Sequence, residues 1–228
     1  MLALLLFSSA CAPAAVRAPA PLRPELVDDP AAAVSFLEEQ RATVSARAGT
    51  PSAASIRSLV EVGMFESADQ VAAAAGLHTV DLALATAELR LRQHRFAAAR
   101  ELIERVLAQQ PANRTGQRLA ARLALETGDA AAAWSGAAWL LERGRRDADA
   151  ALLIARIHLL RGEIIEAHEW AARALDWRPG SADALVLQGR IRLAAEDPER
   201  AAAAREILRM ALAADPLHAD ARFLYGSL

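Results

Sequence analysis

Apolar residues recur with helical spacing along most of this chain, in runs of similar length broken at regular places. The stretch "ADAALLIARIHLLR" (148–161) is apolar with a helical period and halts at Gly162. It is followed by "EIIEAHEWAARALDWR" (163–178), an amphipathic run that halts before Pro179. Two helices joined by a tight turn are predicted for this segment, because glycine supplies the positive φ that ends one helix and proline cannot continue the next. Alternating β-branched patterns typical of strands are scarce, so the expected class is all-α.

The same pair returns at a fixed interval. Gly128 and Gly162 are 34 residues apart, and Pro111 and Pro179 are separated by twice that distance. Ala87, Ala121, Ala155 and Gly189 form a row of small residues at the same period, as do Ala99, Ala133 and Ala167. These positions are expected where paired helices cross most closely, since a larger side chain would force the axes apart. A further unit ends at Pro216, three residues late, with the extra length around "AAEDPER". A fixed period of this size is the mark of a repeat array.

Helix–turn–helix units of 34 residues, with a small residue in the first helix, alanines in the second and a closing proline, resemble the tetratricopeptide repeat family. Phe96, Ala99, Val106 and Pro111 fit a unit at 80–113. Gly162, Ala167, Ala174 and Pro179 fit one at 148–181, and Gly189, Ala204, Ala211 and Pro216 fit one at 182–218. The unit at 114–147 keeps Gly128 and Ala133 but has Arg145 at the place of the proline. "EVGMFESADQVAAAAG" matches through Gly63, Phe65 and Ala68, which gives a degenerate unit at 49–79. Asp29 and Pro30 are expected to start a helix over 30–48, and 219–228 is a partial repeat or a capping helix. The resemblance implies a right-handed α-solenoid whose first helices line a concave groove, and a role in binding other proteins.

On that groove, Arg122, Arg156 and Arg190 form a row one period apart, with Arg92 and Arg118 beside it. Leu125, Leu159 and Leu193 are expected to flank the row. Guanidinium groups beside leucines suit an acidic peptide, because arginine pairs with a carboxylate through two parallel hydrogen bonds. The row departs from the family's carboxylate clamp, which uses Lys and Asn. The chain has no Lys, and its one Asn, Asn113, falls in a turn. The apolar "FLYG" segment near the end of the chain is a second candidate contact surface.

Composition narrows the chemistry. The sequence is 54% hydrophobic but only 4% aromatic, as close-packed, alanine-rich helices require, and the four tryptophans are expected to fill gaps left by alanine. A net charge of −2 gives no bulk attraction to nucleic acid. His78, His94, His158, His168 and His218 are scattered. His168-Glu169 resembles the start of a zinc-protease helix, but Ala172 stands where the second histidine is needed, so no metal site is expected. Neither a glycine-rich phosphate loop nor a nucleophile elbow occurs, and no enzyme activity, cofactor or small-molecule substrate is expected.

The chain opens "MLALLLFSSAC", which resembles the end of a bacterial lipoprotein signal with Cys11 as the lipidated residue. Ser8 and the lack of a preceding basic residue depart from that pattern. Residues 12–29 are rich in proline and alanine and are expected to be an extended tether. The expected setting is the bacterial envelope, as an outer-membrane lipoprotein facing the periplasm and acting in assembly of a larger complex. The alternative is a cytoplasmic adaptor or regulatory subunit of an enzyme.

Overall fold

The computed structural model describes residues 25–47, 51–144, 146–195 and 199–228. Cys11, the tether up to residue 24 and Arg145 lie outside them. Among the described residues there is no strand, and the helices in chain order are α1 (Glu25–Asp28), α2 (Pro30–Arg47), α3 (Ala53–Glu61), α4 (Phe65–Ala75), α5 (Val80–Arg92), α6 (Phe96–Gln109), α7 (Arg114–Glu126), α8 (Ala130–Arg143), α9 (Ala148–Leu160), α10 (Ile164–Trp177), α11 (Ala182–Ala194), α12 (Arg200–Ala214) and α13 (Ala219–Ser227). From α3 onward they form antiparallel pairs stacked side by side, an all-α solenoid.

Each first helix starts on a capping side chain, and the caps keep the period. Thr79, Asn113, Asp147 and Ser181 are 34 apart, and each accepts a hydrogen bond from the backbone N–H three residues on, at 2.9–3.4 Å. The turns behave as their glycines require: φ is +85° at Gly128 and +76° at Gly162. The same place in 80–113 is taken by His94 at φ +57°.

Small residues set the approach of the helices. Ala87, Ala99, Ala121, Ala133, Ala155 and Ala167 are all buried. A Cβ added at Gly136 would lie 2.7 Å from that of Ala121, and one at Gly189 would lie 3.1 Å from the branched end of Leu208. The core is handed from unit to unit: one cluster joins α5, α6 and α7, the next joins α7, α8 and α9, and a third joins α9, α10 and α11. Trp134, Trp139, Trp170 and Trp177 pack half-buried against these clusters.

The N-terminal part departs from the expected tether. Residues 25–28, at its end, are the helix α1, and Leu26 and Val27 are buried at 4% and 7% exposure. Val27 packs with Leu185, Val186, Leu208, Leu212 and Ala221 of the last units. The physical reason is that Val27 joins the apolar cluster at the end of the stack and Leu26 is buried next to it, a gain that outweighs the extended preference of the neighbouring prolines. Asp29 then caps α2 by accepting from Ala31 N at 2.8 Å. α2 reaches the other end of the array, where Val44 joins the α3 cluster and Arg41 Nε donates to Val62 O at 3.2 Å. Residues 25–47 therefore tie the last unit to the first.

Candidate functional site: the concave groove

First helices α3, α5, α7, α9, α11 and α13 each touch the next first helix, whereas no successive pair of second helices is in contact among the described residues. The first helices therefore lie on the inner, tighter curve. Charged positions on them converge across several units: Asp183 on α11 lies in the field of both Arg92 on α5 and Arg122 on α7.

The structure divides the arginine row. Arg118 pairs with Asp149 of the following first helix, Arg156 reaches back to Glu126 at 2.9 Å, and Arg190 pairs with Asp220 at 2.8 Å. These bridges stitch α7 to α9 and α11 to α13. Asp149 also accepts from Arg178 at 2.7 and 3.1 Å. Burial pushes the Asp149 pKa up, but the bonds and charges of Arg178 and Arg118 outweigh it and leave the carboxyl below its ordinary value. Arg92 and Arg122 have no ion-pair partner among the described residues. Arg92 is exposed and Arg122 half-buried. Burial, then the charges of Arg92 and Arg156, press the Arg122 pKa down, against the pull of Glu88 and Glu126. Arg122 is thus a half-buried charge beside others of its own sign, with no carboxylate at ion-pair distance among the described residues.

The leucines divide too. Leu125 is a core residue, 6% exposed among Ala133, Leu153 and Ile157, because its position faces the second helix rather than the hollow. Leu159 and Leu193 are half-buried. The acidic partners Glu126, Asp149, Asp183 and Asp220 were not singled out from the sequence. The signal existed: Asp149 and Asp183 are 34 apart, and Asp220 follows with the three extra residues of its unit. His218 caps α13 through Nδ1, which accepts from Ala221 N at 3.3 Å, while Nε2 donates to Asp183 Oδ1 at 3.0 Å.

The apolar end was a second candidate. Leu224, Tyr225 and Leu228 pack on the last cluster together with Val27, and Phe223 stays 76% exposed. His168 is exposed on α10, and His158 pairs with Glu163 beside Trp134. Among the described residues no three His, Cys, Asp or Glu side chains gather where they would hold a metal.

Residues 84–137 match the tetratricopeptide repeat family. No curated protein matches the sequence. Among solved structures, the chain is similar to one in the APC/C hetero-tetramer Cut9–Hcn1, at 14% identity and a TM-score of 0.61; the likeness covers 85% of this chain but 40% of that one. It is also similar to YrrB, described as a TPR protein with an unusual peptide-binding site, at 19% identity and a TM-score of 0.47, covering 76% of this chain and 89% of that one. The family match spans most of α5, all of α6 and α7 and the first part of α8, and the caps, glycines and buried alanines of those units continue in phase through α11. Residues 84–137 therefore carry tetratricopeptide repeats, and the described units around them share the α-solenoid fold.

Proposed function

We propose that the chain is a non-enzymatic interaction scaffold whose concave groove holds an acidic peptide or protein segment. The observation that carries this reading is the contrast along one row. Arg118, Arg156 and Arg190 are neutralised by acids of adjacent helices, while Arg92 and Arg122, with Glu88, Glu126 and Asp183 near enough to be felt, form no ion pair among the described residues. A partner carboxylate placed between them would meet two guanidinium groups already held by stacked helices, so little ordering is left to do on binding. The interaction sites of the row are thus Arg92 and Arg122, with Leu159 and Leu193 as the accessible leucines.

A crosslinking pull-down from native membranes, analysed by mass spectrometry, tests this. A chain with Arg92→Glu and Arg122→Glu, matched to wild type in helicity, is expected to lose its partner, while Arg190→Glu keeps it. Loss in neither variant places the contact elsewhere. We propose further that the scaffold is tethered in the bacterial envelope, where it acts in assembly of a larger complex. No helix among the described residues is long and apolar enough to cross a membrane, so this tether rests on Cys11. Labelled palmitate is expected to enter wild type and not Cys11→Ala; no incorporation, with location unchanged by Cys11→Ala, returns the chain to the cytoplasmic reading.

A further inference from the structure

The contact between α1 and the last units has the features of a bound ligand more than of a core helix. α1 lies outside the repeat phase and is four residues long, less than an isolated helix needs to persist. Its helical neighbour α2 is mostly exposed and, among the described helices, packs on α1 and α3 alone. Yet α1 is held by specific groups. Arg222 Nη2 donates to the Leu26 carbonyl at 2.6 Å, and Arg222 Nε donates to the Pro216 carbonyl at 2.6 Å. One guanidinium therefore spans the α12–α13 turn and the backbone of a segment 196 positions earlier. Leu26 is buried, and Val27 belongs to the apolar cluster that Leu185, Val186, Leu208 and Leu212 form at the end of the stack. Beyond them Tyr225 Oη donates to Asp28 Oδ1 at 3.4 Å, and the Arg205 guanidinium lies 5.6 Å from the centre of the Tyr225 ring. Asp28 also lies in the field of Arg209, which is anchored to Glu206 on its own helix.

We propose that the end of the solenoid formed by α11, α12 and α13 is a peptide-docking site for a helical turn carrying two adjacent aliphatic residues followed by an acid, and that residues 26–28 occupy it as a displaceable internal ligand. The apolar floor selects the aliphatic pair. Arg222 reads the backbone carbonyl that a turn presents, and Tyr225 with the nearby arginines selects the acid. The occupant seen in place defines the ligand chemistry, because the surface complements this segment in shape, hydrogen bonding and charge together. The site lies apart from Arg92 and Arg122 and does not depend on the groove reading. Its consequence is a built-in gate: a partner segment of the same pattern docks only when the N-terminal segment leaves.

The test uses the full chain. Leu26→Asp with Val27→Asp releases the internal ligand, and the probe is a fluorescein-labelled peptide of sequence LRPELVDDPAA, residues 22–32. Fluorescence anisotropy is expected to show at least about tenfold tighter binding to the released chain than to wild type, since docking in wild type must displace a tethered competitor. Arg222→Ala in the released chain, or Leu–Val→Asp–Asp in the peptide, is expected to abolish binding. Equal affinity for wild type and the released chain, or no binding to either, overturns the proposal. A second arm needs no variant. Hydrogen exchange of wild type at saturating unlabelled peptide is expected to speed up at residues 26–28, and unchanged exchange there also overturns the proposal. If the double variant loses helicity, this arm decides alone.

Discussion

Gly136 offers the sharpest test of how the helices of this array are held apart. Substituting alanine in the middle of α8 should gain roughly 0.5–1 kcal/mol from backbone preference alone. The structure opposes that gain. The new Cβ would stand 2.7 Å from Ala121 Cβ and 3.4 Å from Ala121 Cα, and Ala121 is 2% exposed on α7. Neither atom belongs to a side chain that can rotate away, so the two helix axes must separate, at the ~1–3 kcal/mol typical of an overpacked core. Gly136→Ala is therefore expected to lose about 1 kcal/mol net. Gly226→Ala is the control, because a Cβ there meets nothing within 4 Å and keeps the helical gain. Urea unfolding followed by far-UV circular dichroism and tryptophan fluorescence gives the free energies where the two probes coincide. The diagnostic is a change of sign: in an Ala121→Gly background the obstacle is gone, and Gly136→Ala should then stabilise. A cycle in which Gly136→Ala has the same sign in both backgrounds would refute the close-crossing argument.

Two further results follow from the turns and the charges. Gly162→Ala is expected to cost about 1 kcal/mol through its φ of +76° alone, since nothing lies within 4 Å of the added methyl, and His94→Gly to recover a similar amount at φ +57°; unchanged midpoints in urea would contradict both. Stability should also fall away on both sides of mildly acid pH. Asp149 has a lowered pKa, so its contribution is present above the ordinary 3.8 and is lost as pH falls through the folded value beneath that. The hydrogen bond to Asp183 raises the His218 pKa, so that contribution is complete below 6.5 and is lost as pH rises through the folded value above it. Thermal melts across this range are expected to show a shallower acid slope in Asp149→Asn, with the lowered carboxyls of Asp69 and Asp183 supplying the rest, and a shallower alkaline slope in His218→Gln; slopes that neither substitution changes would assign the pH dependence to other groups.

Glycine, alanine and proline at one period made the repeat architecture legible, because each of those residues answers a backbone or packing demand that recurs in every unit. The capping residues were equally periodic, yet Thr79, Asn113, Asp147 and Ser181 differ in identity, so a search for repeated residues passes over them. Arg122, Arg156 and Arg190 were visible as a row with Arg118 beside it, but the pairing of Arg118, Arg156 and Arg190 was not. Each partner lies about one period minus one helical turn away, an offset that exists only once first helices are stacked side by side. Leu125 illustrates the limit of phase: it shares its register with Leu159 and Leu193, which are half-buried, but is buried like Leu91 one unit earlier. The α1 contact was the least legible feature. Its two aliphatic residues sit in a proline-rich stretch, and the surface that receives them is assembled from residues 185 to 225.

A solenoid is close to a one-dimensional object, in which each unit touches its neighbours and curvature is set by small rotations repeated along the stack. The bridge from Leu26 to Arg222 breaks that locality. α2 is a single stiff rod of 18 residues, roughly 27 Å at the usual rise per residue, fixed to α3 at one end and, through α1, to α12 and α13 at the other. A rod across a curved array holds the curve at the span the rod allows. The first helices that carry Arg92, Arg122 and Asp183 lie between its ends, so the spacing of those charges is tied to whether α1 is docked. On the two readings proposed above, a groove ligand that needs a more open curve loosens α1, and a ligand that displaces α1 changes affinity in the groove by the same factor, because coupling between two binding equilibria is reciprocal. The two proposed surfaces are thus linked by one helix that belongs to neither.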